Sequence, residues 1–370
     1  MSSSNPPPSD QTEAQRRRVR LADVAKRAGV SQTAASFVLT GRREEMRISL
    51  DVEARVLEAA RETGYRPNII SRHLRTGTTH TIGFISDTVA TTRFAGDLIR
   101  GALEAARDRG HLLLIAETEG DDQLEQQLLE TMSDRQVDGI VLASMYTRKL
   151  SVPSALRYGR AVLLNAIPAR PAPLVSVIPD ELEAGRTAAR TLLEAGYANG
   201  IYLIGAGPRP TQRPKPTAAL AALERLQGIK EALAAAGVRL GGAVVCQDWE
   251  PEAGYTAVEK LVAHGADMQA LICFNDRLAV GAYNALHDAG LSVPNDVSVI
   301  SFDDDPIASW VRPQLTTIAL PHYELGRRSI EVLLDYAIGS RQHATDAGTV
   351  VRVPMPLRAR ASVRTSAAER

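Results

Sequence analysis

Cysteine is scarce in this chain: its 370 residues hold two, Cys246 and Cys273, both in apolar strand-like runs without metal-ligand spacing. A disulfide framework and a cysteine metal site are thereby excluded, and the pair reads as reduced core thiols in a reducing compartment. No stretch approaches about eighteen consecutive apolar residues, and Met1 to Asp10 are rich in Ser and Pro with no apolar segment. Neither a membrane span nor an export signal is expected, which points to the cytoplasm. Net charge is missing too, with 43 Lys and Arg against 43 Asp and Glu. The pattern of a dinucleotide-binding loop is absent, as are a Walker lysine and any His-Glu or Cys-His set with ligand spacing. Gly205-Ala206-Gly207 follows a strand-like run as a phosphate loop would, but no glycine follows at the right place. These gaps weigh against an enzyme, and no cofactor or metal is expected.

What is present is enough apolar content, 44%, to fill more than one core, so two or three folded units are expected. The charges are unevenly placed. Through Leu74 there are thirteen Lys and Arg against nine Asp and Glu, a surplus of four that the remainder of the chain cancels. A basic front end suits DNA, and it also suits a merely solvated surface.

The first fifteen or so residues lack the apolar surface to offset ordering entropy, and residues 1–19 are read as a disordered tail. From Arg20 to Tyr65 the rhythm is helical. Leu21, Val24, Ala25 and Ala28 form one stripe and Val52, Val56, Ala59 and Ala60 another, with a short helix between them. Gly29 is placed to end the first helix and Ser31 to cap the next. The short turn Ala28-Gly29-Val30-Ser31 leaves Gln32, Thr33 and Phe37 facing outward while Ala34, Val38 and Leu39 face the bundle. A recognition helix needs this layout to enter a major groove.

After Thr79 strands and helices alternate, which predicts parallel sheets in two α/β lobes. Strands are expected at 81–86, 112–116, 138–143, 161–165, 201–205, 243–246, 270–274 and 297–302. Helices are expected at 96–109, 123–135, 182–194, 218–236, 253–263 and 278–289. The Pro-rich piece Pro208 to Pro216 is read as a loop. The tail after Leu357 carries no apolar heptads, so no tetramerising coiled coil is expected.

Three segments carry a family resemblance: Leu21-Ala22-Asp23-Val24-Ala25-Lys26-Arg27-Ala28-Gly29-Val30-Ser31, continuing to Val38-Leu39-Thr40-Gly41; Arg55-Val56-Leu57-Glu58-Ala59-Ala60; and Gly64-Tyr65-Arg66-Pro67-Asn68. They resemble the headpiece of the lactose-repressor (LacI/GalR) family, and the resemblance runs on to Leu357. It implies a homodimeric regulator that reads a near-palindromic double-stranded DNA operator and answers to a small-molecule effector. By it, Gln32, Thr33 and Phe37 fall at base-reading positions, and Ser31 and Ser36 at phosphate-contacting ones. Phe37 stands where a basic residue is common, so it either meets a thymine methyl or packs into the bundle. Residues 66–79 resemble a hinge helix, with Arg72 on phosphate and Leu74 as a wedge into the minor groove.

Residues 80–362 resemble the two-lobed periplasmic-binding-protein fold, with one lobe about 80–178 and 307–338, the other about 179–306 and 339–362, and residues 363–370 a tail. The resemblance sets Arg225, Trp249, Asn275 and Asp303 against the effector, with Phe94 as an apolar wall and Asp87 and Asp180 as weaker candidates. An aromatic ring with carboxylates and an arginine suits a sugar or sugar derivative. Each residue has a plain alternative: Trp249 as core, Asp303 as a turn cap, Arg225 paired with Glu224 or another surface acid.

Overall fold

The computed structural model describes residues 19–65, 78–89, 95–156, 160–206, 220–246, 248–338 and 348–364. It divides into two compact units, Met1–Thr79 and His80–Arg370.

In the first unit three helices, α1 (Leu21–Ala28), α2 (Gln32–Leu39) and α3 (Leu50–Thr63), surround a core of small residues. Val24, Ala25, Ala28, Ala35, Val38, Val56 and Ala59 are its buried members. Gly29 ends α1 at φ +66°, a left-handed backbone that costs a glycine little, and the chain turns at once into α2. The Ser31 hydroxyl accepts the Ala34 N–H at 3.1 Å and caps α2. Ala35 is the alanine fully buried against the bundle, and Ala34 is only half-buried. Val38 and Leu39 face the core as expected, and Ala35 takes the inward place expected of Ala34.

The second unit holds two six-stranded sheets. The first comprises β1 (Thr81–Ser86), β2 (Leu112–Glu117), β3 (Gly139–Leu150), β4 (Ala161–Pro168), β5 (Val175–Pro179) and β11 (Val350–Val353), in the order β11-β5-β4-β3-β1-β2. The second comprises β6 (Ile201–Ile204), β7 (Gly242–Val244), β8 (Ala270–Cys273), β9 (Ser298–Asp303), β10 (Thr316–Ala319) and β12 (Leu357–Arg358), in the order β12-β10-β9-β8-β6-β7. Pairing is parallel except between β10 and β12. Helices α4 (Ala95–Asp108), α5 (Asp122–Asp134) and α11 (His322–Val332) pack on the first sheet. Helices α6 (Glu181–Glu194), α7 (Leu220–Ala235), α8 (Pro251–Ala263) and α9 (Asp276–Asp288) pack on the second, with a short α10 (Ile307–Trp310) beside it. Parallel strands covered on both faces read as unbroken apolar runs, which is why β8 and β9 are buried almost throughout.

The chain passes between the sheets three times, after Pro179, Ala319 and Val353. Two lobe limits therefore differ from those expected. Residues 307–319 form α10 and β10 of the second lobe, and β11 pairs in parallel with β5 of the first. Both strands are short and carry polar residues, Thr316 and Thr317 in one and Arg352 in the other, so no apolar run announces them as it does the equally short β6 and β8. The second lobe also extends beyond residue 362: Arg364 donates its backbone N–H to Ser298 Oγ and its Nε–H to the Tyr197 hydroxyl. Cys246 and Cys273 are buried free thiols, both pushed up in pKa by burial. The expected disordered tail, the hinge helix and the Pro-rich loop fall outside the described residues.

Candidate functional site: a recognition helix and a buried charge cluster

In the first unit the N-terminal end of α2 puts Ser31, Gln32 and Thr33 in solvent, one after another. Ser36 and Phe37, further along, are half-buried. The guanidinium of Arg42 lies over the Phe37 ring, 4.9 Å from its centroid. Phe37 is thus part packing residue and part exposed edge. Arg72 and Leu74 lie outside the described residues.

In the second unit Arg225, Trp249, Asn275 and Asp303 come together at the carboxyl edge of the second sheet. Asp303 ends β9, and Asn275 lies between β8 and α9. Arg225 reaches them from α7. Its Nε and Nη2 donate to the two oxygens of Glu181, at 2.5 and 3.0 Å, in a bidentate pair. Nη1 donates to the Phe274 carbonyl at 2.6 Å, and Nη2 lies 3.5 Å from Asp303 Oδ1. The guanidinium also sits over the Phe302 ring at 4.5 Å. The pairing requires α6 and α7 to approach closely: a Cβ on Gly185 would overlap the carbonyl of Arg225.

Asn275 is committed at both ends of its amide. Its oxygen caps α9 through the Leu278 N–H at 2.8 Å, and its nitrogen donates to the Trp249 carbonyl at 3.0 Å. Trp249 is half-buried and meets Phe274 edge-on at 5.9 Å. Its indole N–H is buried without a hydrogen-bond partner among the described residues.

Asp303 is held by a second network. Asp303 and Asp304 both have positive φ, +112° and +57°, a strained backbone for residues with side chains. Asp276, beneath the turn, accepts from the hydroxyls of Ser301 and Thr317 and, at 2.7 Å, from the Asp305 N–H. Asp304 pairs with Arg360 at 2.6 Å and with Arg358 at 3.3 Å. Burial raises the Asp303 carboxyl to about 8, against the pull of Arg225 and with help from Asp276, Glu181 and Asp305. Burial likewise raises Asp276 to about 6, against its three hydrogen bonds.

The remaining expected residues are otherwise engaged. Asp87 accepts the Met145 N–H at 2.9 Å and pairs with Arg148 at 3.2 Å, tying β1 to β3. Asp180 caps α6 through the Glu183 N–H. Glu224 pairs with Arg352, both N–O distances being 2.8 Å, so the acid facing Arg225 is Glu181 instead. Phe94 lies outside the described residues. Glu181 and Phe274 were not singled out from the sequence. Glu181 follows Asp180 at a helix start, where either acid reads as a cap, and only the packing of α6 on α7 separates them.

Two family models match. Residues 20–68 fit the bacterial regulatory proteins of the lacI family, and residues 79–361 fit the periplasmic binding proteins and sugar binding domain of the LacI family. The chain belongs to the LacI family. It is 34% identical to the ribose operon repressor of Escherichia coli (strain K12) over 316 residues, covering 85% of this chain and 92% of that protein. It is 32% identical to the HTH-type transcriptional regulator AscG of the same organism, with 82% and 88% covered. Among solved structures, a transcriptional regulator CelR–cellobiose complex superposes with a TM-score of 0.62 at 26% identity, covering 93% of this chain and all of that one. The lac repressor dimer bound to operator and the anti-inducer ONPF shares the fold, with a TM-score of 0.71 at 23% identity and 93% and 98% covered. Like these relatives, this LacI-family chain joins a helical headpiece to two parallel-sheet lobes. No helix among its described residues is long and apolar enough to cross a membrane.

Proposed function

We propose that the chain is a homodimeric, operator-binding repressor of the cytoplasm whose DNA affinity is set by a sugar or sugar derivative held at the Arg225 cluster. The observation that carries the DNA-binding half is the state of α2. Ala35 and Val38 lock the helix into the bundle while Ser31, Gln32 and Thr33 are left exposed at its N-terminal end. There a helix N-terminus and hydroxyls suit phosphate, and the Gln and Thr side chains suit base edges. The roles of Arg72 and Leu74 in a hinge, and of Phe94 as a wall, stay as the family resemblance implies them. The sensor is read as a binding module and not an enzyme, in keeping with relatives that are transcription regulators.

On the effector side, Asp303 offers an acceptor and the Trp249 indole a flat face with an unmet N–H. A sugar presents the matching hydroxyls and apolar face. An effector that weakens operator binding must itself bind less tightly to the operator-bound protein. Selection from random duplexes should return a palindromic site, bound with an affinity that falls steeply with salt. Recovery of no preferred sequence would overturn the reading. A thermal-shift screen of the full chain against neutral sugars tests the sensor half.

A further inference from the structure

The cluster is built on an arginine, yet it presents no open positive charge. A guanidinium has five N–H donors. Those of Arg225 go to both Glu181 oxygens, the Phe274 carbonyl and Asp303, so one Nη1 hydrogen is left over. The side chains of Arg225 and Glu181 are 3% and 2% exposed, against 18% for Asp303, so the open member of the triad is a carboxyl. One guanidinium facing two carboxyls sums to a single negative charge when Asp303 is ionised and to zero when it is protonated. Beneath them lie two further buried carboxyls, Asp276 and Asp305. Nearby Arg352 is likewise taken, by Glu224.

Taking the sensor site to be at this cluster, as proposed above, we infer that Glu181 is a specificity-determining residue. By occupying Arg225 it restricts the site to uncharged, hydroxyl-bearing effectors and turns away anions such as sugar phosphates and sugar acids. Hydroxyls donate to the Asp303 carboxylate, or accept from it when it is protonated. A phosphate or carboxylate brought to the same place meets a carboxyl and finds its natural partner already bidentately engaged. With Glu181 neutralised, the same guanidinium would become an anion site.

The test uses the full-length protein and two probe sets, read by thermal shift and calorimetry. The first pairs neutral sugars with their anionic counterparts, D-ribose with D-ribose 5-phosphate and D-glucose with D-glucose 6-phosphate and gluconate. The second is inorganic phosphate, compared with chloride at equal ionic strength. Wild-type protein should bind a neutral member in preference to its anionic counterpart and gain nothing from phosphate. Glu181→Gln should gain phosphate affinity by about tenfold or more, the equivalent of one charge-assisted hydrogen bond. Glu181→Gln combined with Arg225→Gln should lose that gain. Wild-type protein that binds phosphate, or an anionic sugar at least as tightly as its neutral partner, overturns the inference. So does a folded Glu181→Gln protein with unchanged phosphate affinity. Should Glu181→Gln fail to fold, the wild-type arms decide alone. If no sugar of either charge binds while the phosphate arm behaves as described, the sugar reading fails and the charge filter stands.

Discussion

The carboxyl edges of the two sheets are furnished in opposite ways. At the second, four ionisable groups are buried or half-buried: Glu181, Arg225 and Asp303 in one ion-paired cluster, and Asp276 in the hydrogen-bond network beneath it. At the first, the ion pairs are partly exposed, Asp87 with Arg148 and Asp180 with Arg352. The deeply buried polar atoms there, Ser86 Oγ, Asn165 Oδ1 and Ser176 Oγ, have no hydrogen-bond partner among the described residues. A buried charge without a partner costs far more than a buried hydroxyl without one. The second lobe must therefore complete its network to fold, whereas the first can carry unmet groups.

The largest effect that could break this contrast is expected from Arg225→Ala. Removing the cation strands Glu181 in the interior, and losing one partner of a buried pair costs about 3–5 kcal/mol. The melting temperature should drop sharply, along with effector binding, and a loss below about 1 kcal/mol would show that Glu181 is not truly enclosed. Next comes Asp276→Ala. It leaves the Ser301 and Thr317 hydroxyls and the Asp305 N–H unpaired beneath the strained Asp303–Asp304 turn. About 1–3 kcal/mol is expected for each group that stays unsatisfied. Denaturant titration measures it, and full stability in the variant would sever the link between that network and the turn.

A smaller, pH-dependent effect sharpens the comparison. Raised carboxyls bind protons in the folded protein that the unfolded chain has released, so they favour folding at low pH and lose that contribution as pH rises through the folded pKa. For Asp276 this occurs by about 6 and for Asp303 by about 8. His322, which burial lowers to about 4, acts with the opposite sign, favouring folding as pH rises toward its unfolded value near 6.5. Above pH 6.5 neither Asp276 nor His322 still contributes, and Asp303 is the carboxyl that titrates there. Wild-type stability should fall relative to Asp303→Asn between about pH 6.5 and 8.5, read as the difference in melting temperature. A constant difference would mean that Asp303 is ionised throughout. The smallest effect belongs to the first lobe. Ser176→Ala removes a hydroxyl with no hydrogen-bond partner among the described residues, and the change should lie within about 0.5 kcal/mol of zero or be stabilising. A large loss would show that both edges are equally constrained.

Legibility in the sequence follows the same division. The three helices of the headpiece are local objects, written in stripes such as Val24, Ala25 and Ala28 and in caps at Gly29 and Ser31. The strands that were long or wholly apolar, β1 and β9 among them, were also visible, whereas β5, β10 and β11 at four or five residues were not. Arg225, Trp249, Asn275 and Asp303 were recognised together, but what each one touches was not. Glu224 and Glu181 are equally plausible partners for Arg225 until α6 lies against α7.

The fold class, the headpiece, the exposed N-terminal end of α2 and the set of polar residues at the strand ends are written locally in the chain, because hydrophobic period, caps and turn glycines act over a few residues. Packing settled which lobe owns β10 and β11, since a short strand with polar residues and no apolar run takes its place from the neighbour it pairs with. Packing also decided the charge of the Arg225 cluster. Glu181 and Arg225 are 44 residues apart, and only the close approach of two helices at Gly185 makes one the counterion of the other, removing the positive charge that Arg225 alone would have promised.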